Sequence, residues 1–528
     1  MFDILIKNGM VIDGSGSPAR RADVGITGER IAALELLPDS PAAQVIDASG
    51  LVVAPGFIDI HSHADYILPG LPTADSKVHQ GVTTEVVGNC GISAAPLNDE
   101  MRQRGDANSP LGSFGAKWQW NTFEQFLAFL QRQGTSVNVA PLVGHGSVRK
   151  KVMGLGSESP TPDQLNEMKN EVELAMQAGA FGLSTGLIYP PNVYSTTPEI
   201  IELARVASRH HGIYTSHIRG EGKTVLDAVE EAMRVGREAQ LPVEISHLKA
   251  ELRVNWHKME MILETIHAAR HAGQDVSADM YPYNAFCTTM TSMLPDWALA
   301  GGVEAMIERL QQPASRSRIR AALAADAVDG EPGYWEGTIV SSCRPLPHYA
   351  GRTLREISNE KGLAPEDTVM ELLVEAGGEA EIVQFAMDEV NVEIGLATDF
   401  IMVGSDGDGR AAQGPYSAGK PHPRNYGTFP RVLGHYARER RLFPLETAVA
   451  KMTGMPAARL GLRDRGLLKP GFFADITVFD PDTVRDTATF ANPHQYAAGI
   501  EYVLVNGNPV LWQGSHTRAL PGKVLRRQ

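Results

Sequence analysis

The strongest constraint on this chain is a long middle region in which short apolar segments alternate with amphipathic ones. Apolar segments of strand length recur at residues 52–60, 82–87, 137–143, 181–184, 213–216, 243–246, 276–280 and 401–404. Helical periodicity fills several of the intervals between them, at residues 161–178, 197–210, 225–239 and 258–272. Strands that alternate with helices favour βαβ units and a parallel sheet. Eight such strands predict an α/β fold, a closed (β/α)8 TIM barrel whose functional residues lie at the carboxyl ends of the strands.

Both ends of the chain differ from this middle region. Residues 1–54 and 461–528 contain short strand patterns that are separated by Gly, Ser, Pro and Asp turns. We expect the two ends to form one small β-sandwich domain beside a barrel of residues 55–460. Within the barrel the alternation breaks from about residue 284 to residue 398, after the seventh strand. A connection of that length is usually functional, so we expect an insertion that forms a lid over the barrel mouth.

Charge and composition exclude several functional classes. The 528 residues include 62 acidic and 48 basic side chains, and the formal charge of -14 argues against non-specific binding to nucleic acids. Three cysteines do not indicate a disulfide framework. The first residues lack a secretory signal pattern, and no apolar run approaches the roughly 18 to 20 residues of a membrane span. We therefore expect a cytoplasmic protein that binds a small molecule and has no membrane or nucleic-acid partner.

Four histidines stand at the ends of predicted barrel strands. His61 and His63 alternate at the end of the first strand, so their side chains share one face and could chelate a metal. The alternative is a pair of polar residues at the barrel rim. His217 and His247 end the fifth and sixth strands and are separated by about one βα repeat. Their side chains are therefore expected to be neighbours on adjacent strands.

A cysteine and an aspartate occupy equivalent positions on two further strands. A lone cysteine is usually a small buried apolar residue, but Cys90 follows the second strand at the same end as the histidines. Asp406 follows the eighth strand, where the barrel would close beside the first. Imidazole, thiolate and carboxylate donors together suit Zn²⁺. The combined set therefore predicts a zinc site at the carboxyl edge of the barrel.

These residues lie within motifs that resemble the amidohydrolase superfamily, and more narrowly its N-acyl-D-amino-acid deacylase (D-aminoacylase) family. The resemblance covers nearly the whole chain. The motifs are PGFIDIHSH (55–63), GNCG (88–91), YPY (281–283), SDG (405–407), HPRNYGTFPR (422–431), KMTGMPA (451–457) and AD (474–475). The cysteine discriminates best, since hydantoinase-like relatives place a carbamylated lysine between two metals where D-aminoacylases use a cysteine.

The resemblance implies two metal positions. One would hold a tightly bound zinc ion through three ligands: Cys90, His217 and His247. The other, weaker or vacant, would use three further ligands: His61, His63 and Asp406. In this family Asp406 would also act as the general acid and base, which takes a proton during attack on the amide and passes it to the leaving amine.

A substrate with an α-carboxylate needs a cationic or donor-rich anchor, and the candidates are Lys249, Tyr189, Tyr283 and Arg424. Lys249 follows His247 by two residues and is therefore on the same strand face. The alternatives are a solvated lysine, tyrosines that pack at the barrel rim, and an arginine in a structural ion pair. His145, which ends the third strand, is interpreted as a supporting or oxyanion-side residue rather than a ligand.

The function that the resemblance implies is zinc-dependent hydrolysis of N-acyl-D-amino acids to a carboxylic acid and a free D-amino acid. The alternatives are hydrolysis of cyclic amides or of dipeptides with a C-terminal D-residue. A catalytically inactive binding protein is disfavoured because every implied ligand is present. At residues 284–289, NAFCTT replaces the small Gly-Ser-Thr turn of the family. Phe286 in this loop predicts an apolar pocket that prefers hydrophobic to acidic N-acyl-D-amino acids.

Overall fold

The computed structural model describes residues 1–108, 118–330 and 333–527. Eight parallel strands follow one another around its central sheet: β1 (Phe57–Asp59), β2 (Val82–Val87), β3 (Asn138–Pro141, continued by Val143–Gly144), β4 (Gly182–Gly186), β5 (Ile213–His217), β6 (Val243–Ile245), β7 (Val276–Met280) and β8 (Ile401–Val403). The ring closes where β1 and β8 end, because Ser62 and Gly407 form a parallel bridge. The backbone N–H of Asp406 donates to the carbonyl of His61 at 2.8 Å beside this bridge. The predicted (β/α)8 barrel is confirmed.

The first apolar segment contains two strands rather than one. Residues Val52–Pro55 pair with strands of the small domain, and only Phe57–Asp59 belongs to the barrel. Gly56 separates the two strands. The backbone passes so close to Thr83 at this point that a Cβ on residue 56 would lie 2.2 Å from the Thr83 side chain. The apolar pattern is continuous because both strands are buried. Periodicity therefore cannot reveal this change of sheet.

Helices cover the outside of the barrel. Their bounds are Asp75–Val78, Asp99–Asn108, Phe123–Gln133, His145–Met153, Pro162–Gln177, Thr197–Arg209, Val225–Ala239, Lys258–His271, Glu389–Ala397, Arg424–Arg431, Leu445–Met452 and Gly454–Leu460, with a π-helical segment at Val432–Glu439. The helix Pro162–Gln177 illustrates the local signals: Thr161 caps its first turn, and the Gln164 side chain completes the capping box. In the described part of the chain, no helix has both the length and the apolar character needed to cross a membrane.

The insertion after β7 is a folded unit. Three antiparallel strands (Phe286–Thr289, Thr338–Ser342 and Glu381–Gln384) pack with helices Asp296–Leu299, Val303–Gln311, Pro313–Gly330, Leu354–Lys361 and Pro365–Glu375. These elements enclose their own apolar core, which includes fully buried Leu310, Leu323 and Ile357. The helix Glu389–Ala397 then returns to the barrel core. The segment is therefore held in place by burial of apolar side chains rather than by the barrel alone.

The small domain is built from both ends of the chain. One sheet contains, in order, Ser515–His516, Asn508–Trp512, Ile500–Val505, Ile476–Phe479, Val52–Pro55, Met10–Val11 and Arg20–Arg21. A second sheet contains Arg30–Glu35, Asp23–Thr27, Phe2–Lys7 and Ala42–Asp47. Apolar residues from the two sheets share one core, as in a β-sandwich. The predicted β-sandwich is confirmed.

A buried ionic network lies beneath the closure of the barrel. The ammonium group of Lys77 donates to Asp59 Oδ2 at 2.6 Å, to Ser405 Oγ at 2.8 Å and to the carbonyl of Gly407 at 3.0 Å. Its nitrogen also lies 3.6 Å from Glu85 Oε2, and all three charged side chains are fully buried. Burial opposes the charge on Lys77, but Asp59 and Glu85 outweigh it and raise the pKa of the amine. The network therefore joins β1, β2 and β8 through a charged lysine.

We expect Lys77→Met to lower the free energy of unfolding by about 3 to 5 kcal/mol, because it leaves two carboxylates buried without their cation. Urea unfolding followed by tryptophan fluorescence measures the change. Lys169→Met is the matched control, since Lys169 forms a partly exposed 2.9 Å pair with Glu202 and should change stability by only about 0 to 1 kcal/mol. Equal losses in the two variants would contradict a structural role for the buried network.

Candidate active site and metal centre

The structure brings together the side chains of all the predicted metal ligands: His61, His63, Cys90, His217, His247 and Asp406. The sulfur of Cys90 lies 3.3 Å from His61 Nε2, 3.8 Å from His217 Nδ1 and 3.4 Å from His247 Nε2. His63 Nε2 lies 3.0 Å from Asp406 Oδ1. The cluster stands at the carboxyl ends of the barrel strands, where barrel enzymes carry their active sites.

The spacing of these donor atoms fits a divalent metal ion. Nitrogen and sulfur ligands that lie about 2.0 to 2.3 Å from a tetrahedral zinc are roughly 3.3 to 3.7 Å from one another. The donor atoms form two overlapping groups, and within each group they lie within 4.8 Å of one another. One group contains His61, Cys90, His247 and Asp406, and the other contains His217, Glu221 and His247. His217 Nε2 is buried and has no hydrogen-bond partner among the residues that the structure describes. The donor set is therefore chemically suited to a metal centre.

Three residues of the cluster have a left-handed backbone conformation. The φ angles of Cys90, His247 and Asp406 are 52°, 35° and 49°. This region is unfavourable for residues with a Cβ, and a residue held there costs on the order of 1 to 3 kcal/mol. Each residue follows a barrel strand at the point where the chain turns away. Such conformations cluster at functional sites, so their coincidence here supports a functional role for the cluster.

Burial and neighbouring charges set the protonation of the cluster. Burial opposes ionisation of Cys90 and Asp406, but neighbouring cations outweigh it. His61 and His247 hold the pKa of the Cys90 thiol well below its ordinary value. Arg424 and His247 do the same for the pKa of the Asp406 carboxyl. Burial lowers the pKa of His217, which favours a neutral imidazole. Although burial opposes it, neighbouring anions raise the pKa values of His61, His63 and His247. Because metals coordinate neutral imidazole, a metal ion that binds here would displace protons from these rings.

Two acidic residues that sequence reasoning missed hold the histidines in place. Asp279 on β7 accepts from His61 Nδ1 at 3.2 Å and from the backbone N–H of His247 at 3.0 Å. Glu221 Oε1 lies 3.0 Å from His247 Nδ1. A carboxylate on the second ring nitrogen fixes the tautomer and orientation of a metal-binding histidine. The available signals were an acidic residue inside an apolar strand and a glutamate four residues after His217.

The candidate substrate residues lie in different environments. Lys249 lines the cavity above the cluster and donates to Glu221 Oε1 at 2.5 Å. Tyr189 also lines this cavity, and its hydroxyl lies 3.0 Å from Thr288 Oγ1 of the insertion. Arg424 forms an ion pair with Asp406 at 2.8 Å and also lies in the wall of a cavity beside the cluster. Its position is therefore compatible with an ion-pair partner and with a substrate anchor.

Tyr283 does not lie where the sequence predicted a substrate residue. It lines neither cavity beside the cluster and instead packs edge-on against His422, with the guanidinium of Arg431 5.0 Å from its ring. Tyr281 faces the cavity in its place, because the turn after β7 directs the second tyrosine of the YPY motif behind the site. The Tyr281 hydroxyl is buried and lacks a hydrogen-bond partner among the described residues.

His145 is engaged away from the cluster. One ring nitrogen lies 2.9 Å from Asn192 Oδ1, and the other lies 3.0 Å from Glu199 Oε1. Arg149 pairs with the same glutamate at 2.8 Å. Both nitrogens are thus committed to a buried structural network, which leaves none for an oxyanion. Of the two roles predicted for His145, these contacts fit the supporting role and do not fit the oxyanion-side role.

Two cavities meet at the cluster. The first, of about 400 Å³, contains His217, His247 and Lys249 in its wall, and the second, of about 450 Å³, contains His63, Cys90 and Arg424. Four residues line both: Tyr189, Cys287, Thr288 and Asp406. The insertion contributes Phe286 to the first cavity, as the sequence suggested. A linear substrate could therefore place its two halves on opposite sides of Asp406.

An eight-stranded barrel with buried imidazole, thiolate and carboxylate donors at its carboxyl edge defines a metal-dependent barrel enzyme. The family model described as "Amidohydrolase family" matches residues 44–511. This chain belongs to the amidohydrolase family.

Similar proteins narrow this assignment. The D-aminoacylase of Alcaligenes xylosoxydans xylosoxydans is 43% identical over 530 residues, which cover 100% of this chain and 98% of that protein. A crystal structure of D-aminoacylase matches all of both chains with a TM-score of 0.84 at 40% identity. The N-acyl-D-glutamate deacylase of Bordetella bronchiseptica, solved with zinc and a phosphonate that mimics the tetrahedral intermediate, has a TM-score of 0.84 at 37% identity over 99% of each chain.

We expect Asp279→Ala to weaken metal binding by about 10- to 100-fold, because His61 loses the carboxylate that orients it. Metal content after dialysis against a graded chelator series measures this change. Asp275→Ala is the matched control, since Asp275 lies at the opposite end of the same strand and pairs with Arg459. Unchanged metal retention in Asp279→Ala would show that the carboxylate does not support the centre.

Proposed function

We propose that this chain is a zinc-dependent N-acyl-D-amino-acid deacylase that releases a carboxylic acid and a free D-amino acid. The observation that carries the proposal is the buried Cys90 sulfur among three imidazoles at the barrel edge. A thiolate in such a donor set favours zinc over harder divalent ions. Similarity over the whole chain to D-aminoacylase and N-acyl-D-glutamate deacylase supports the reaction class.

The metal would be held at two positions of unequal strength. We assign the tighter one to Cys90, His217 and His247, and the weaker one to His61, His63 and Asp406. The contacts of Cys90 with His217 and His247 support the first set, and those of His63 and His61 with Asp406 support the second. Cys90 also lies 3.3 Å from His61 Nε2, so its sulfur would lie beside both positions. A bound zinc ion would polarise the amide carbonyl and lower the pKa of water towards about 7.

Asp406 would move the proton. Its carboxylate is held between His63 on one oxygen and Arg424 on the other, which fixes its direction and keeps it ionised. An ionised carboxylate at the junction of the two cavities can accept a proton from the attacking water. It can then donate that proton to the leaving amide nitrogen. Arg424 positions Asp406 through this ion pair, in addition to its proposed contact with the substrate carboxylate.

The substrate α-carboxylate would be bound between cations that flank Tyr281. The Lys249 ammonium lies 5.7 Å from the centre of the Tyr281 ring, and the Arg424 guanidinium lies 4.8 Å from it. The free Tyr281 hydroxyl adds a hydrogen-bond donor to the same wall. Tyr189 completes the boundary on the side of the insertion. This arrangement leaves the rest of the first cavity for the amino-acid side chain.

We expect measurable hydrolysis of N-acetyl-D-amino acids and much slower hydrolysis of their L-enantiomers, because the carboxylate anchor, the metal at the carbonyl and the side-chain space of the first cavity together fix three points of a chiral substrate. A panel of D and L substrates, hydantoins and dipeptides with a C-terminal D-residue tests this with one sample of measured zinc content. Faster turnover of hydantoins or dipeptides than of every N-acetyl-D-amino acid would reject the proposed reaction.

We expect Asp406→Asn to lower kcat by about 10²- to 10⁴-fold, since an amide cannot accept the proton. At least one zinc ion per chain should remain, because the Cys90 position does not use this carboxylate. Turnover and metal stoichiometry are measured on the same preparation. Loss of all zinc together with loss of activity would assign Asp406 a structural role and remove it from the proton pathway.

A further inference from the structure

Carboxylates form much of the wall of the first cavity. Asp326 and Asp329 lie at the end of the insertion helix Pro313–Gly330, and Glu251 lies in the loop after β6. Asp296, which begins the helix Asp296–Leu299, lines the same cavity. None of these four forms a salt bridge with the described residues, in contrast to Glu221 and Asp406 in the same wall.

The cations of the cavity do not neutralise this wall. The Lys249 ammonium is already paired with Glu221 at 2.5 Å. Lys223 is the remaining lysine among the described lining residues, and its side chain is exposed. Burial, followed by repulsion from Glu221, raises the pKa of Glu251 to about 7, as expected for a carboxyl that lacks a counter-ion. A carboxyl with this pKa is only partly ionised near neutral pH, so a cation bound beside Glu251 would hold it ionised and pair with it.

Apolar surface lies in the same cavity as these acids. Phe286, Leu252, Met293 and Tyr334 contribute to its wall. Asp326 is exposed and Asp329 is half-buried, whereas Tyr281 and His247 are buried, so the acids of the insertion lie towards solvent. Lysine and arginine side chains combine an apolar stem with a terminal cation, and they bind surfaces of this mixed kind. Apolar and acidic groups thus line the same cavity, as the stem and the cation of such a side chain require.

A second feature of this cavity points to a ligand. Tyr281 is 3% exposed, yet its hydroxyl has no hydrogen-bond partner among the described residues, and it faces the cavity. A buried hydroxyl without a partner is costly in the free protein. The ligand would approach this hydroxyl at one end and the acidic wall at the other.

We infer that the preferred substrates are N-acyl-D-amino acids with a cationic side chain, of the D-lysine and D-arginine class. The inference rests on the proposed deacylase function and specifies its substrate. It revises the expectation from Phe286 alone: the aromatic ring contacts the methylene stem, and the carboxylates select the charge at its end. Acidic side chains remain disfavoured, because they would face like charges without a counter-ion.

The central comparison is between two side chains of similar shape and different charge, and an acidic side chain is added for contrast. The kcat/KM of the zinc-loaded enzyme is measured for N-acetyl-D-arginine, its neutral analogue N-acetyl-D-citrulline, and N-acetyl-D-glutamate. We expect arginine to exceed citrulline by about ten-fold or more and glutamate to be the poorest substrate. The preference for arginine should shrink with added salt, because part of the wall is open to solvent. A citrulline rate equal to that of arginine, or a preference for glutamate, would overturn the inference while the deacylase function stands.

Variants identify the residues responsible. Asp326→Asn with Asp329→Asn, and separately Glu251→Gln, should each lower the ratio of the arginine to the citrulline kcat/KM at least three-fold. The matched control is Glu304→Gln with Glu308→Gln, two exposed acids of the same insertion outside the cavity, and its ratio should equal that of the wild type. Wild-type ratios in both acidic-wall variants would overturn the assignment. Failure of every N-acetyl-D-amino acid to react would instead reject the proposed function, and this inference with it.

Discussion

The buried lysine at the seam of the barrel is the interaction on which the site depends. Lys77 bridges Asp59 at the end of β1 and Ser405 after β8, and Asp59 also accepts from the backbone N–H of Ser405 at 2.9 Å. His61 follows Asp59 by two residues, and Asp406 directly follows Ser405. A parallel barrel has no hairpin at its seam, so long-range contacts such as this network and the Ser62–Gly407 bridge hold the first and last strands in register. In this protein that register also sets the distance between the candidate metal ligands at the ends of these two strands.

The same residues that form the centre are strained or electrostatically costly without a ligand. Cys90, His247 and Asp406 adopt left-handed backbone conformations, and their charges are buried. The surrounding carboxylates, Asp279 and Glu221, compensate part of this cost by pairing with the histidines. A metal ion would add a concentrated positive charge among these anionic donors. The favourable contacts of the rest of the barrel therefore offset these local costs and hold the donor atoms in position.

The insertion separates reaction chemistry from substrate choice. The barrel strands carry the donor atoms, whereas the insertion contributes Phe286, Asp326 and Asp329 to the cavity wall. Because the insertion has its own apolar core, its surface residues can change without disturbing the register of the barrel. The cavity wall can therefore vary while the donor atoms stay in place.

The sequence by itself determined the alternation of strands and helices and the donor residues at the strand ends, because both are local patterns of spacing and residue type. His61 and His63 alternate on one strand, and Cys90 and Asp406 directly follow apolar segments. Only the tertiary structure decided which strand neighbours supply Asp279 and Glu221, and that Tyr281 rather than Tyr283 faces the cavity. Those outcomes depend on barrel closure and on the rotation of one turn. The acidic wall likewise arises from residues distant in sequence that meet only when the insertion packs over the barrel.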